Sequence, residues 1–352
     1  MGTAKRVSVD VLELEGDQFE IGFQHGKALG AEIRAYLARD FAEINLLRAN
    51  QLREDLIGEY VEPYKRIISQ CLPGSMDELR GLAEGAEISI DQAVLLQVRR
   101  ELIGSEGFSL LGDCSSFAKR ESGHSVLGQT IDLPGDMTSL GQVFKIQSGT
   151  EGAPRIMMYS FAGLLGYMGM NSFGLAICIN LVVSEGWRVG VPPYLLARAF
   201  LNCKDIESCI DLVGNMPIAS SRSFILSDNE KQVVLELNTS GYRIVEGDFL
   251  THANHYIHGD LKEGDRLNVF SKNSSVKRMR LLQDLLLEDA TLDGIKRTFS
   301  DHSLYPVGIC AHNESNYKWS ETVASVIMYP GKGEFHALRG KPCQGDYSIF
   351  KL

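Results

Sequence analysis

The pattern of apolar and polar positions divides the chain into two unlike parts. After a short alternating run at 7–14 that reads as a strand, residues 18–102 carry apolar side chains at helical spacing, as in Phe19, Ile21, Gly22 and His25, then Leu29, Ile33 and Leu37. About five helices are expected there. Pro63, Pro73 with Gly74, and the Ser89-Ile90-Asp91 cap before Ala93-Val94-Leu95-Leu96 separate them, because proline lacks a backbone donor and serine or aspartate offers an N-cap. From Asp113 onward the period shortens to two, predicting strands over 115–119, 125–131, 142–147, 155–161 and 175–180. A helix pair is expected at 192–202 and 205–213, then a strand meander over 223–251. Helices at 274–287 and 292–299 and strands at 307–312, 322–328 and 334–338 complete the reading. Helical and strand runs are segregated, which predicts an α+β fold with helices on the faces of antiparallel sheets rather than a doubly wound order. The glycine-rich stretch 163–174 lacks the GxGxxG order and reads as a tight turn between strands.

Composition narrows the class. With 44% hydrophobic and 23% charged residues, the 352-residue chain has the make-up of a soluble globular protein with a sizeable core. Its 45 acidic and 35 basic side chains give a net charge of -10 with no basic block, so no nucleic-acid partner is expected. Residues 1–113 hold 12 basic and 20 acidic side chains and the remainder 23 and 25, so the charge break falls where the periodicity changes. The absence of a long apolar run and of an apolar leader predicts a cytoplasmic protein without a membrane partner. The seven cysteines, at 71, 114, 178, 203, 209, 310 and 343, are odd in number and form no CxxC pair, which suits reduced thiols rather than a disulfide framework.

The strongest chemical signal is Gly112-Asp113-Cys114-Ser115-Ser116-Phe117, which sets a cysteine at the start of a strand as the helical part ends. A chain cut there begins with Cys114, whose thiol is a nucleophile and whose new α-amino group, with a pKa of about 7.7–8.0, is a base on the same residue. The plain alternative is a small buried hydrophobe. Asp132, across a hairpin from Cys114, either orients that amine or starts the turn before Pro134. In Thr251-His252-Ala253-Asn254-His255-Tyr256-Ile257-His258, three imidazoles invite a metal. On a strand His252 and His255 would face opposite ways, and no cysteine or carboxylate pair completes the set, so no metal site is expected. Asn254 and Asn180 each read either as an oxyanion donor or as a turn residue. His302 and His312 flank Cys310, a pairing conceivable for a papain-type site and equally for core packing.

Taken in order, these motifs resemble the isopenicillin N acyltransferase-like (acyl-CoA:6-aminopenicillanic acid acyltransferase) family of autoproteolytic N-terminal-nucleophile cysteine hydrolases. The resemblance runs over most of the chain. It rests on Gly16-Asp17-Gln18-Phe19-Glu20-Ile21-Gly22 with His25-Gly26, Asp113-Cys114-Ser115-Ser116, Gly128-Gln129 with Asp132, and Gly169-Met170-Asn171-Ser172 with Gly174 and Asn180. Gly190-Val191-Pro192 with Arg198, His252-Ala253-Asn254-His255 and Ile309-Cys310 extend it. The resemblance implies a four-layer αββα sandwich with an N-terminal helical segment, and self-cleavage between Asp113 and Cys114 into an α chain of residues 1–113 and a β chain of residues 114–352 that remain one unit. It implies Cys114 as nucleophile, Asp132 as the residue that holds its amine, and Asn254 as oxyanion donor, with Asn180 and Arg278 at the substrate. Asp113 stands where the fungal penicillin members have glycine, and Ser320 where they have an arginine, so a penicillin nucleus is not implied. The expected enzyme is an amidohydrolase or acyltransferase acting through a thioester on a small N-acyl amide or acyl-CoA, without cofactor. Its partners are that substrate and its own two chains, with homo-oligomerisation open. The alternatives are an acyl-CoA-dependent N-acyltransferase, a non-catalytic binding module of the same fold, and a zinc enzyme built on the His252 cluster.

Overall fold

In the computed structural model, which describes residues 9–48, 50–104, 114–305, 308–313 and 320–352, five α-helices build the first third. Helix α1 (Gln18–Ala38) starts on a capping box in which the Asp17 carboxylate accepts from the Glu20 N–H and the Glu20 carboxylate from the Asp17 N–H. Helices α2 (Ile44–Leu47), α3 (Ile57–Cys71), α4 (Pro73–Ala86) and α5 (Ile90–Gly104) follow. Pro73 opens α4, and Ser89 and Gln92 exchange cap hydrogen bonds of 3.1 and 2.9 Å at the start of α5. Pro63 is no boundary. It lies inside α3, whose stripe of Ile57, Val61, Tyr64 and Ile68 is buried on both sides of it, so packing outweighs the lost hydrogen bond.

Helices α1 and α4 meet backbone to backbone. A Cβ on Gly22 would fall 1.9 Å from the Glu78 carbonyl oxygen, and one on Gly81 2.0 Å from that of Phe19. One turn beyond Gly22, the His25 Nε2 accepts the Gly163 N–H at 3.1 Å and ties α1 to the second part of the chain. Burial pushes His25 from 6.5 down to about 3, so the fold holds it neutral. Below pH 6.5 the unfolded chain takes up this proton and the native one does not, so stability falls as pH is lowered towards 3, by roughly 1.4 kcal/mol per pH unit. Urea unfolding at pH 7, 6 and 5 should therefore show a shallower loss in His25→Asn, whose amide oxygen keeps the acceptor.

The strands are β1 (Val11–Gly16), β2 (Ser115–Glu121), β3 (His124–Pro134), β4 (Gly141–Ser148), β5 (Arg155–Phe161), β6 (Met168–Asn171) and β7 (Ala176–Asn180), then β8 (Arg222–Ser227), β9 (Gln232–Asn238), β10 (Gly241–Glu246), β11 (Phe249–His252), β12 (Ser320–Tyr329), β13 (Glu334–Arg339) and β14 (Ser348–Lys351). They form an eight-stranded sheet, β1-β4-β5-β6-β7-β8-β9-β10, and a six-stranded sheet, β11-β2-β3-β12-β13-β14. All pairings are antiparallel except β1 with β4. The sheets face each other through β2 and β3 against β7 and β8. Helices α1, α6 (Pro193–Phe200) and α7 (Ile206–Gly214) cover the larger sheet, and α8 (Val269–Glu288) the smaller one. Phe117 and Ile327 of the smaller sheet pack with Leu282 and Leu286 of α8 and Phe299 of α9 (Leu292–Phe299). This is the expected α+β architecture in four αββα layers.

Between the sheets, Gln129 of β3 replaces a missing strand neighbour. Its amide donates to the Ile179 carbonyl at 2.6 Å and accepts the Ile179 N–H at 2.9 Å where β6 no longer accompanies β7. Several expectations need correction. The 163–174 stretch is more than a turn, since 168–171 form β6, and 348–351 add an edge strand in which Ile349 is exposed. Residues 308–312 are no strand: Ala311 bonds β12 through Thr322, while the Cys310 N–H bonds Asp301. Helix α8 begins five residues before the expected 274, because Asn268 caps a first turn whose Val269 and Phe270 are exposed and so fall outside the apolar stripe. Among the described residues, no helix is long and apolar enough to cross a membrane.

Candidate active site

The sheet junction brings Cys114, Asp132, Asn180, Asn254 and Arg278 together. Cys114 immediately precedes β2 and is buried. Because β2 pairs β3 with Ser115 opposite Thr130, Asp132 comes alongside Cys114, and its N–H points at Cys114 Sγ from 3.5 Å. The Asp132 carboxylate accepts the Thr322 hydroxyl at 2.6 Å, which fixes it against β12. Asp113 lies outside the described residues.

Two donors converge on the Cys114 carbonyl oxygen, the Asn180 amide at 3.3 Å and the Arg278 Nη1 at 2.8 Å. Asn180 ends β7 and accepts from the Ser116 hydroxyl, so the two sheets meet in this contact. Arg278 is wholly buried on α8 and also donates to Ser115 Oγ at 2.9 Å, Ser274 Oγ at 3.3 Å and Asn254 Oδ1 at 2.9 Å. A buried guanidinium is costly unless its donors are used. Here it holds the orientation of Asn254: with Oδ1 facing Arg278, the Asn254 Nδ2 is the donor, and it reaches the Leu181 carbonyl at 3.0 Å. The Asn254 N–H donates to Ser275 Oγ at 2.7 Å, a second anchor from α8.

The histidine cluster separates by function. His252 ends β11, so strand alternation does not extend to His255, and the two rings stack with centroids 6.5 Å apart instead of facing opposite ways. His252 Nε2 meets buried Glu236 at 2.9 Å, and His255 Nδ1 meets Ser275 Oγ at 2.7 Å. Burial raises the Glu236 carboxyl, but His252 and the N–H groups of Ile257 and His258 outweigh it and leave Glu236 lowered. His258 accepts the Asp260 N–H. Each imidazole thus has its own structural partner. The motif residues Asn171 and Arg198 also serve the frame: Asn171 binds the Leu201 and Cys203 carbonyls, and Arg198 forms a buried ion pair with Glu78 at 3.2 Å.

A cavity opens at Cys114 and Asp132, walled by Tyr167 and Tyr194 with Arg100 and Arg222 at its side. The two tyrosine rings stack 5.6 Å apart. Leu133, Tyr167 and Tyr194 also border a second, apolar hollow lined by Leu96, Met137 and Phe161. Arg222 leans on the Trp187 and Tyr194 rings and lies 3.9 Å from Glu101. Arg100 makes no ion pair with a described carboxylate. Sequence reasoning missed these two arginines. The available signal is Arg99-Arg100-Glu101 within α5, where every residue from Ala93 to Ile103 is buried, an expensive place for charge.

Comparison with known proteins places these features in context. The family model described as acyl-coenzyme A:6-aminopenicillanic acid acyl-transferase matches residues 119–342. The chain is 24% identical over 324 residues to the acyl-coenzyme A:6-aminopenicillanic-acid-acyltransferase 40 kDa form of Emericella nidulans, covering 90% of this chain and 89% of the other. It is 24% identical over 314 residues to the beta-alanyl-dopamine/carcinine hydrolase of Drosophila melanogaster, covering 78% and 79%. Among solved structures, a conjugated bile acid hydrolase variant from Clostridium perfringens overlays with TM-score 0.42 at 12% identity, covering 68% of this chain and 97% of that one. Penicillin V acylase from Agrobacterium tumefaciens gives TM-score 0.42 at 13% identity, covering 64% and 83%.

Proposed function

Because the chain belongs to the acyl-coenzyme A:6-aminopenicillanic acid acyl-transferase family, we propose that it is an autoproteolytic enzyme whose Cys114, once N-terminal, cleaves or forms the amide bond of a small N-acyl compound. The observation that carries this reading is the convergence on Cys114: Asn180 and Arg278 on its carbonyl, the Asp132 N–H on its sulfur, and Asn254 turned by Arg278 to present Nδ2. Scission of the 113–114 bond yields an α chain of residues 1–113 and a β chain of residues 114–352, which stay together because α1 and the larger sheet share one core.

The new α-amine takes the thiol proton, and the thiolate attacks the acyl carbonyl to form a C–S bond. The carbonyl oxygen gains negative charge, and the Asn254 Nδ2 donates to it. Collapse expels the amine, which receives the proton held by the Cys114 amine, and leaves a thioester. Water or another amine, deprotonated by the same amine base, attacks that thioester, and the thiolate departs to recover its proton. Asp132, held by Thr322, orients the α-amine; Asn180 and Arg278 position Cys114 and Asn254.

The cavity suggests the substrate. Leu96, Met137 and Phe161 offer an apolar seat for an acyl or aryl group, while Arg100 and Arg222 offer positive charge for an anionic one. Arg100→Leu should raise KM about tenfold or more for an N-acyl substrate bearing a carboxylate, with little change for its methyl ester, because a lost charge-assisted contact is worth about 1.5–3 kcal/mol. The defining experiment incubates the purified enzyme with a panel of N-acyl amines and acyl-CoA thioesters, with and without acceptor amines, and identifies products by mass. Amine release from N-acyl compounds, lost in Cys114→Ala, supports the proposal. Turnover confined to acyl-CoA and dependent on an acceptor favours the transferase reading. No turnover together with a single uncut chain favours a binding module.

A further inference from the structure

A second cluster of chemically capable side chains lies outside the cavity. His302, Cys310, His312 and Cys343 bring one ligand atom each to within 4.8 Å of one another. The two sulfurs are 3.6 Å apart, Cys310 Sγ is 3.6 Å from His312 Nε2, His312 Nε2 is 3.2 Å from Cys343 Sγ, and the two Nε2 atoms are 2.9 Å apart. A tetrahedral zinc with Zn–S of about 2.3 Å and Zn–N of about 2.0–2.1 Å requires edges of roughly 3.8 Å between sulfurs, 3.6 Å between sulfur and nitrogen, and 3.3 Å between nitrogens. These four separations approximate the corresponding edges to within about 0.5 Å, and the remaining two, from His302 to the sulfurs, lie within 4.8 Å, so the four ligand atoms gather around a centre that an ion can draw into a tetrahedron. Two thiols and two imidazoles are also the donor set that selects zinc over calcium or magnesium.

From this geometry we propose a structural Cys2His2 zinc site formed by His302, Cys310, His312 and Cys343. It departs from the expectation of no metal and sits apart from the His252 cluster. The ligands come from three places: the segment after α9, the irregular segment 308–312, and the turn between β13 and β14. Their irregular spacing, without a CxxC pair, hides the site in the sequence. Four protein ligands close the coordination sphere, so the ion staples instead of activating water. What it staples is adjacent to the candidate active site. Between ligands Cys310 and His312, the Ala311 N–H donates to Thr322 Oγ1 at 2.8 Å and the Ala311 carbonyl accepts the Thr322 N–H at 3.0 Å. Thr322 in turn donates to Asp132. The zinc therefore secures the segment that presses Thr322 towards Asp132.

The test uses the full-length protein, wild type and Cys343→Ala, purified under reductant, with metal content measured by plasma mass spectrometry. Cys343 is exposed, so its loss spares the core. The expected result is stoichiometric zinc in wild type and its loss in the variant. After chelation, cobalt(II) should give the thiolate charge-transfer band and strong visible bands of a tetrahedral S2N2 site, and zinc should raise the melting temperature of wild type but not of Cys343→Ala. His302→Ala, a second ligand variant, should weaken the cobalt bands. Wild type that neither retains zinc nor binds cobalt tetrahedrally would overturn the proposal. So would a Cys310–Cys343 disulfide found by peptide mapping of protein purified without air.

Discussion

Cys114→Ala should lower acyl turnover to background, a loss of about 10⁴-fold or more, because the proposed nucleophile and its base reside on the same residue and neither can be supplied elsewhere. The variant should retain the wild-type melting temperature within a few degrees, since the thiol is a small buried group. Cys114→Ser separates the roles: a hydroxyl with its much higher pKa attacks slowly, so any self-cleavage that persists precedes an enzyme of greatly reduced kcat. Cys71→Ala, a substitution on α3 outside this cavity, should leave turnover within about twofold. Steady-state kinetics with the best N-acyl substrate reads all three. Loss of activity in Cys71→Ala with retention in Cys114→Ala would remove the proposed nucleophile.

The second large effect belongs to Asn254. Removing one oxyanion donor costs about 10²–10³ in kcat, and Asn254→Ala should do so with little change in KM, because the ground-state carbonyl gains less from Nδ2 than the developing oxyanion does. The substitution also takes the Oδ1 acceptor from Arg278. Asn254→Asp tests that point. It restores an acceptor for Arg278 yet removes the Nδ2 donor, so kcat should stay low while the melting temperature recovers. Recovery of kcat in the aspartate variant would assign Asn254 to support of Arg278 alone.

The layer architecture was legible because strand and helix periodicities are segregated, and the Gly128-Gln129, Asn180 and Asn254 motifs mark contacts between layers. The features that escaped were governed by tertiary context. The proline in α3 is tolerated by a buried stripe, β6 hides in a glycine-rich stretch, and β14 is an edge strand with an exposed Ile349. At the candidate site, the adjacency of Cys114 and Asp132 is legible because a hairpin of short sequence range brings them together, as the β2–β3 register bears out. Arg100 and Arg222 come from α5 and β8 and join the cavity only through packing, so no local pattern pairs them with Cys114. Arg278 was expected at the substrate. It donates hydrogen bonds to the Cys114 carbonyl, Ser115, Ser274 and Asn254, contacts visible only once α8 is laid across β2. Likewise the alternation expected through His252 and His255 fails because β11 stops at His252.

The central claim, that Cys114 becomes an N-terminal nucleophile, is tested most directly by denaturing intact-mass analysis of purified wild type beside Cys114→Ala. The account predicts two wild-type chains of about 12 and 26 kDa, from roughly 110 Da per residue, with the larger beginning at Cys114, and one uncut 38.9 kDa chain in the variant. A wild type that remains a single 38.9 kDa chain while turning over substrate would contradict it.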